Sequence, residues 1–178
     1  MKKKIPVALL CVLYLIFFGT LASTFSDLPN RVATHFAADG RPNGWMSRET
    51  HLLFMLGLAT GLPGIVVGLC YVSRFLPVDL LNIPHRGYWT APERRKSTYD
   101  FLFNHSFWFA SLAVAFVTGI HLSILNANTK IPAELSMENL LVVAVGFLAG
   151  ILVWALTLIR HFKNPPTANT LHFSANVG

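Results

Sequence analysis

Charge is what this chain has least of. Asp, Glu, Lys and Arg make up 12% of its 178 residues, about half the share of an ordinary soluble domain. Cysteine is nearly absent: Cys11 and Cys70 stand alone, each inside an apolar stretch. Neither can staple a polar loop, and there is no CxxC pair for a metal. Both cysteines are expected to be buried packing residues. No HExxH or comparable metal spacing occurs. There is no internal repeat and no low-complexity segment apart from a short polar tail, 164–178, which has two prolines and no hydrophobic periodicity and is expected to be mobile.

What fills the chain instead is apolar, at 53% hydrophobic residues and a mean hydropathy of +0.53. Four runs are free of charge: Ile5 to Phe25, Leu52 to Val72, Phe107 to Leu125 and Leu140 to Ile159. Each has roughly the 20 residues that a helix needs to cross a ~30 Å hydrocarbon core. The runs are continuous rather than alternating, which disfavours strands, and spanning backbone must satisfy its own hydrogen bonds. The expected fold is therefore an all-α integral membrane bundle of four helices, with spans at about 5–25, 52–75, 105–125 and 139–160. The first run is longer than a usual signal-peptide core and is expected to remain as a span.

Lys and Arg set an expected orientation. Lys2, Lys3, Lys4, Arg74, Arg86, Arg94, Arg95, Lys96, Arg160 and Lys163 lie on one side; Arg31, Arg41, Arg48 and Lys130 lie on the other. This bias predicts that both termini and the middle loop are cytoplasmic. The net charge of +6 reflects that flanking pattern, so the lipid bilayer is the expected partner and nucleic acid is not.

No span carries Asp, Glu, Lys or Arg in its middle, which argues against ion- or proton-coupled transport. His105 and His121 share the third span, but at about 100° per residue they lie roughly 160° apart. They do not form a relay on one face, and His121 is expected to be structural. His51 falls at the start of the second span, where a polar residue is ordinary.

The second span has Gly57, Gly61, Gly64 and Gly68 around Pro63, and the fourth has Gly146 and Gly150. Their GxxxG spacing predicts close helix packing within the bundle, or a homodimer face. Pro63 is expected to kink its helix by removing a backbone donor.

Two polar stretches remain. The middle one, 76–100, reads as a membrane-surface elbow. His85, Arg86, Tyr88, Trp89, Glu93, Arg94 and Arg95 are its candidate interaction residues. Thr90-Ala-Pro-Glu93 fits a capping box that starts a helix near Ala91, with Thr90 as the cap. Tyr88 and Trp89 suit an interfacial aromatic anchor.

The other stretch, LPNRVATHFAADGRPNGWMSR from Leu28 to Arg48, separates the first two spans. Asp39-Gly40 and Asn43-Gly44 are turn signals. RVATHF could be extended or helical. A free linker would not need His35, Phe36 and Trp45, so residues 27–50 are expected to fold into a compact external cap. The candidate binding surface is His35, Phe36, Asp39 and Trp45, with Gly40, Pro42 and Gly44 shaping the backbone. A metal site from His35, Asp39, Glu49 and His51 is the enzymatic alternative, and a structural subunit of a larger complex is a third reading.

The pattern LPxxVxxHFxxDGxPxGWxSR, carried by Leu28, Pro29, Val32, His35, Phe36, Gly40, Pro42, Gly44, Trp45 and Ser47, resembles the signature of a bacterial membrane domain of unknown function. That domain accompanies the SdpI-like immunity proteins, which protect a cell from its own secreted peptide toxin. Arg48 stands where that family often has lysine. The segment PHRGYWTAPERR resembles a shorter subgroup with the same domain. The resemblance covers well under half of the chain. It implies a non-enzymatic membrane protein, without cofactor or metal, that meets a peptide or membrane-protein partner through the cap.

Overall fold

A computed structural model describes residues 4–165. The elements run α1 (Ile5–Ser23), β1 (Arg31–Phe36), β2 (Pro42–Ser47), α2 (Arg48–Val72), α3 (Arg86–Trp89), α4 (Pro92–Asn128) and α5 (Met137–Lys163). Two short 3-10 turns, Ser73–Phe75 and Val78–Leu80, lie between α2 and α3. The helices α1, α2, α4 and α5 are each long and apolar enough to cross a membrane. The protein is a multi-pass membrane protein. The strand pair sits at one end of the spans, here called the cap end, and the α2–α4 connection at the other, the elbow end. The expected tail lies almost wholly outside the described residues.

The spans are helical because nothing else in them competes, and their ends are marked by side chains. Ser47 caps α2, accepting from the Thr50 N–H at 3.1 Å, and Ser136 caps α5, accepting from Asn139 at 3.3 Å. Glu49 and Glu138 fill the acidic first-turn positions, and Arg160 and Lys163 the basic last turn of α5, each complementing the helix dipole. The capping box expected at Thr90 does not form. Thr90 ends α3 instead, its hydroxyl donating back to the Arg86 carbonyl at 2.8 Å. The cap of α4 is Ala91, with Pro92 in the first turn.

α4 is the hub, and α1, α2 and α5 all pack on it. The core is Phe17 of α1, Met55 and Ala59 of α2, and Val114, Val117 and Ile124 of α4, closed at the cap end by Leu28 and Val32. Pro63 removes the N–H that would have bonded Ala59, four residues earlier. The Tyr14 hydroxyl donates to that Ala59 carbonyl at 2.9 Å. A side chain of α1 thus supplies the bond that the proline denies α2, as lipid-embedded backbone requires.

Inside the bundle, the expected close packing of the glycines fails at five of six positions, and the expected burial of the cysteines fails at Cys11. Gly57, Gly61, Gly64, Gly68 and Gly146 have open space where a Cβ would stand. The four on α2 lie away from the face through which Met55 and Ala59 meet Val114 of α4. Only Gly150 of that set is packed: an added Cβ would come within 2.6 Å of Leu112. Gly119, not singled out beforehand, meets Val143 in the same way at 2.9 Å. Cys11 faces outward and Cys70 is half-buried. Leu, Val and Phe take the interior positions, and thiols facing acyl chains cost little.

Candidate functional site

Residues 31–47 form an antiparallel hairpin rather than the helical alternative. Arg31 pairs with Ser47, Val32 with Met46 and Ala33 with Trp45. Beyond Ala33 the register shifts, so that His35 faces Gly44 and Phe36 faces Pro42. The turn closes through Gly40 at φ +83°, a left-handed conformation suited to glycine. A side chain at position 40 would also strike the Leu135 carbonyl oxygen, 2.7 Å from an added Cβ. Gly44 lets the His35 side chain lie across the strand, where a Cβ would fall 2.9 Å from that of His35.

The hairpin is held down at three points. The Asn128 side chain at the end of α4 accepts from the Ala33 N–H at 2.8 Å and donates to the Ala33 carbonyl at 2.9 Å. The Leu135 N–H donates to the Gly40 carbonyl at 3.0 Å. Val32 and Ala33 are buried against the helices. Asn128 mimics a third strand at one residue, a role that no motif announces.

That clamp fixes the hydrogen-bonding phase of the ladder. Both main-chain groups of Ala33 point away from β2 toward Asn128, and the Arg48 N–H donates to the Asn30 carbonyl. Ala33 and Trp45 are therefore a non-hydrogen-bonded pair, and the main-chain groups of Trp45 point to the outer edge of β2. Among the described residues no strand pairs with that edge. The Trp45 side chain is 46% exposed, and the Arg31 guanidinium lies 5.2 Å from its ring centre.

The other cap residues do not converge on Trp45. His35 and Phe36 line a crevice of about 300 Å³ under the hairpin, with Thr34, Ile124 and Leu140. Asp39 is at the exposed turn, where it accepts from the Arg41 N–H and pairs with the Arg41 side chain at 3.6 Å. Pro42 begins β2. His35, Asp39, Glu49 and His51 are not gathered at a point. Among the described residues no group of three or more His, Cys, Asp or Glu could hold a metal.

His51 belongs to a different feature. It is fully buried beneath the cap against His121 of α4, with Nε2 3.1 Å from His121 Nδ1. His121 Nε2 lies 2.9 Å from the Thr24 hydroxyl, which donates to the Thr20 carbonyl at 2.8 Å. A hydroxyl has one proton. Thr24 must therefore accept from His121 Nε2–H, and His121 Nδ1 must accept from His51 Nε2–H. The chain runs one way, from His51 to the backbone of α1, and leaves His51 Nδ1 buried without a partner. His121 is structural in that it ties three spans together. His105, on the opposite face, donates from Nε2 to the Trp154 carbonyl of α5 at 3.0 Å. The shared depth of His51 and His121 was discoverable, though their contact was not. Both lie near the cap end of helices running in opposite directions, whereas comparison within one helix tests only His105.

At the elbow, several candidate residues hold the fold. Trp89 is buried and donates to the Phe162 carbonyl at 2.9 Å. Arg94 stacks on Tyr88 at 4.0 Å and donates to its carbonyl at 2.8 Å. Arg86 pairs with Asp79 at 3.1 Å. His85 (φ +52°), Glu93 and Arg95 are exposed.

Residues 9–60, from α1 through the hairpin into α2, match a domain of unknown function, DUF1648. The match spans the cap and the helices that carry it, and leaves α4 and α5 outside. No curated protein and no solved structure matches the chain.

Proposed function

We propose that this protein is a non-enzymatic receptor of the bacterial inner membrane that recognises an extended peptide, or an extended segment of a membrane partner, at the outer face. The observation that carries this reading is the open edge of β2. The hairpin is immobilised on α4 through Ala33, and the opposite edge offers the N–H and C=O of Trp45 beside an exposed aromatic ring. An edge held rigid and left unpaired is suited to strand addition, in which main-chain bonds give affinity and side chains give selectivity. A mobile hairpin would have to be ordered first, at a cost to binding. The excess of Lys and Arg at the elbow end supports an outward-facing cap and termini on the cytoplasmic side. Immunity to a secreted peptide, as in the SdpI-like proteins, is one task such a receptor performs.

The test is photo-crosslinking from position 45 in native membranes, with a photoreactive phenylalanine analogue replacing Trp45. The expected product is a crosslink to a secreted peptide or an envelope protein. Crosslinks confined to the protein's own helices would overturn the reading and leave the cap as a lid.

A further inference from the structure

A second concavity lies away from the cap. A groove of about 830 Å³ runs between α4 and α5, toward the elbow end. That is within the ~300–1,000 Å³ of ordinary ligand sites. Leu112, Ala149, Gly150 and Val153 give it an apolar floor. Its wall is a stack of rings: His161 on Phe101 with centres 3.6 Å apart, Phe101 near His105, and His105 near Trp154 at 5.1 Å. The wall is braced across the two helices. While His105 donates to the Trp154 carbonyl, Trp154 Nε1 donates to the His105 carbonyl at 3.1 Å.

One end of the groove is charged. Arg160 lines it beside His161, and no carboxylate does. No hydrogen bond or ion pair engages the Arg160 side chain among the described residues, whereas Arg86, Lys96 and Arg48 each have an acidic neighbour. Arg160 falls three residues before the end of α5, the depth at which a span leaves the hydrocarbon for the headgroups. An apolar channel opening sideways to lipid, with one uncompensated cation at headgroup depth, is complementary to an anionic amphiphile. Basic pockets between spanning helices are a known mode of headgroup binding.

We propose that the α4–α5 groove binds an anionic phospholipid of the elbow-side leaflet. Its phosphate sits at Arg160 and His161, and its acyl chain lies along Leu112, Ala149 and Val153. The bound lipid fills space that protein side chains leave open and joins α5 to α4 more firmly.

The full chain is reconstituted in phosphatidylcholine bilayers and titrated with phosphatidylglycerol or phosphatidylcholine brominated on the acyl chain. Bromine quenches tryptophan on contact, and Trp108 and Trp154 both line the groove. The expected result is quenching at lower phosphatidylglycerol than phosphatidylcholine concentration, by about five-fold, the worth of one basic residue at a membrane surface. R160Q abolishes the preference and R160K keeps it. A149F, which fills the groove at an outward position, reduces quenching by both lipids. R95Q, on the exposed elbow, leaves the preference intact. Equal quenching by both lipids in the unmodified protein, or a preference that survives R160Q, overturns the proposal. So does a preference lost equally in R95Q.

Discussion

The bond from Tyr14 to Ala59 invites a double-mutant cycle. In Y14F the ring, and its stack on Phe18 at 5.9 Å, are retained. Only the hydroxyl is lost, and with it the donor to the carbonyl that Pro63 leaves unpaired. A net hydrogen bond is worth about 1 kcal/mol, and between spanning helices about 0.6, with a maximum near 1.7. Here the acceptor has no helical N–H to fall back on, so the upper part of that range applies, and Y14F should cost about 1–2 kcal/mol. In P63A the amide of residue 63 is restored and can bond Ala59 itself. Y14F on that background should then cost less than about 0.5 kcal/mol, giving a coupling of about 1 kcal/mol. Reversible unfolding of the four proteins in mixed micelles, followed by tryptophan fluorescence, measures each corner. If Y14F costs the same in the native background and in the P63A background, the hydroxyl does not compensate for the proline, and the reasoning is wrong.

Other expectations are simpler to state. N128A should strip the Ala33 N–H and carbonyl of their partners at a buried site, costing about 2 kcal/mol or more. Hydrogen exchange at Ala33 should then accelerate by about 30-fold, and an unchanged rate would mean that Asn128 does not hold the cap. G40A should be destabilising by about 1–3 kcal/mol, from its left-handed backbone and the clash with Leu135. G61A should be neutral or stabilising by up to about 1 kcal/mol. Thermal melts compare the two, and a loss in G61A would show that a partner covers that face. H51L and H121L should each be destabilising, and the double variant less so than their sum by at least about 0.5 kcal/mol. Strict additivity in the same melts would deny the bond between the rings.

The spans were legible because a membrane imposes one simple rule, length and apolarity, on contiguous residues. The cap was legible as a folded object because Asp39-Gly40 carries its turn geometry locally, whereas Asn43-Gly44, which reads as a second turn, lies inside β2. What lay beyond reading was the partner of each feature. The glycines of α2 look like packing residues by spacing alone, yet spacing does not say which face of a helix meets another. Thr90 matches a capping box in isolation, but a four-residue helix already claims it. His51 and His121, or Asn128 and Ala33, are far apart in the chain. Their meeting depends on how deep each span sits and how it is rotated about its axis, which side-chain types alone leave undetermined. The same holds for Pro63 and Tyr14: the proline is visible as a defect, and its remedy is visible only in three dimensions.

The position of Asn128 bears on how the molecule is assembled. The hairpin belongs to the connection between the first two spans, but its clamp is the last residue of the third, and Leu135 follows later still. While the chain is being inserted in order, the first two helices share little beyond the Tyr14 bond, and their hairpin rests on α2 alone, without its clamp. Val32 and Ala33 complete their cover, and the main chain of Ala33 finds its partner, only when the final turn of α4 has crossed to the far side. Folding of the cap therefore reports completion of the third crossing. A chain arrested before Asn128 would present a membrane-anchored hairpin with both edges open, the form most prone to pairing with a neighbour.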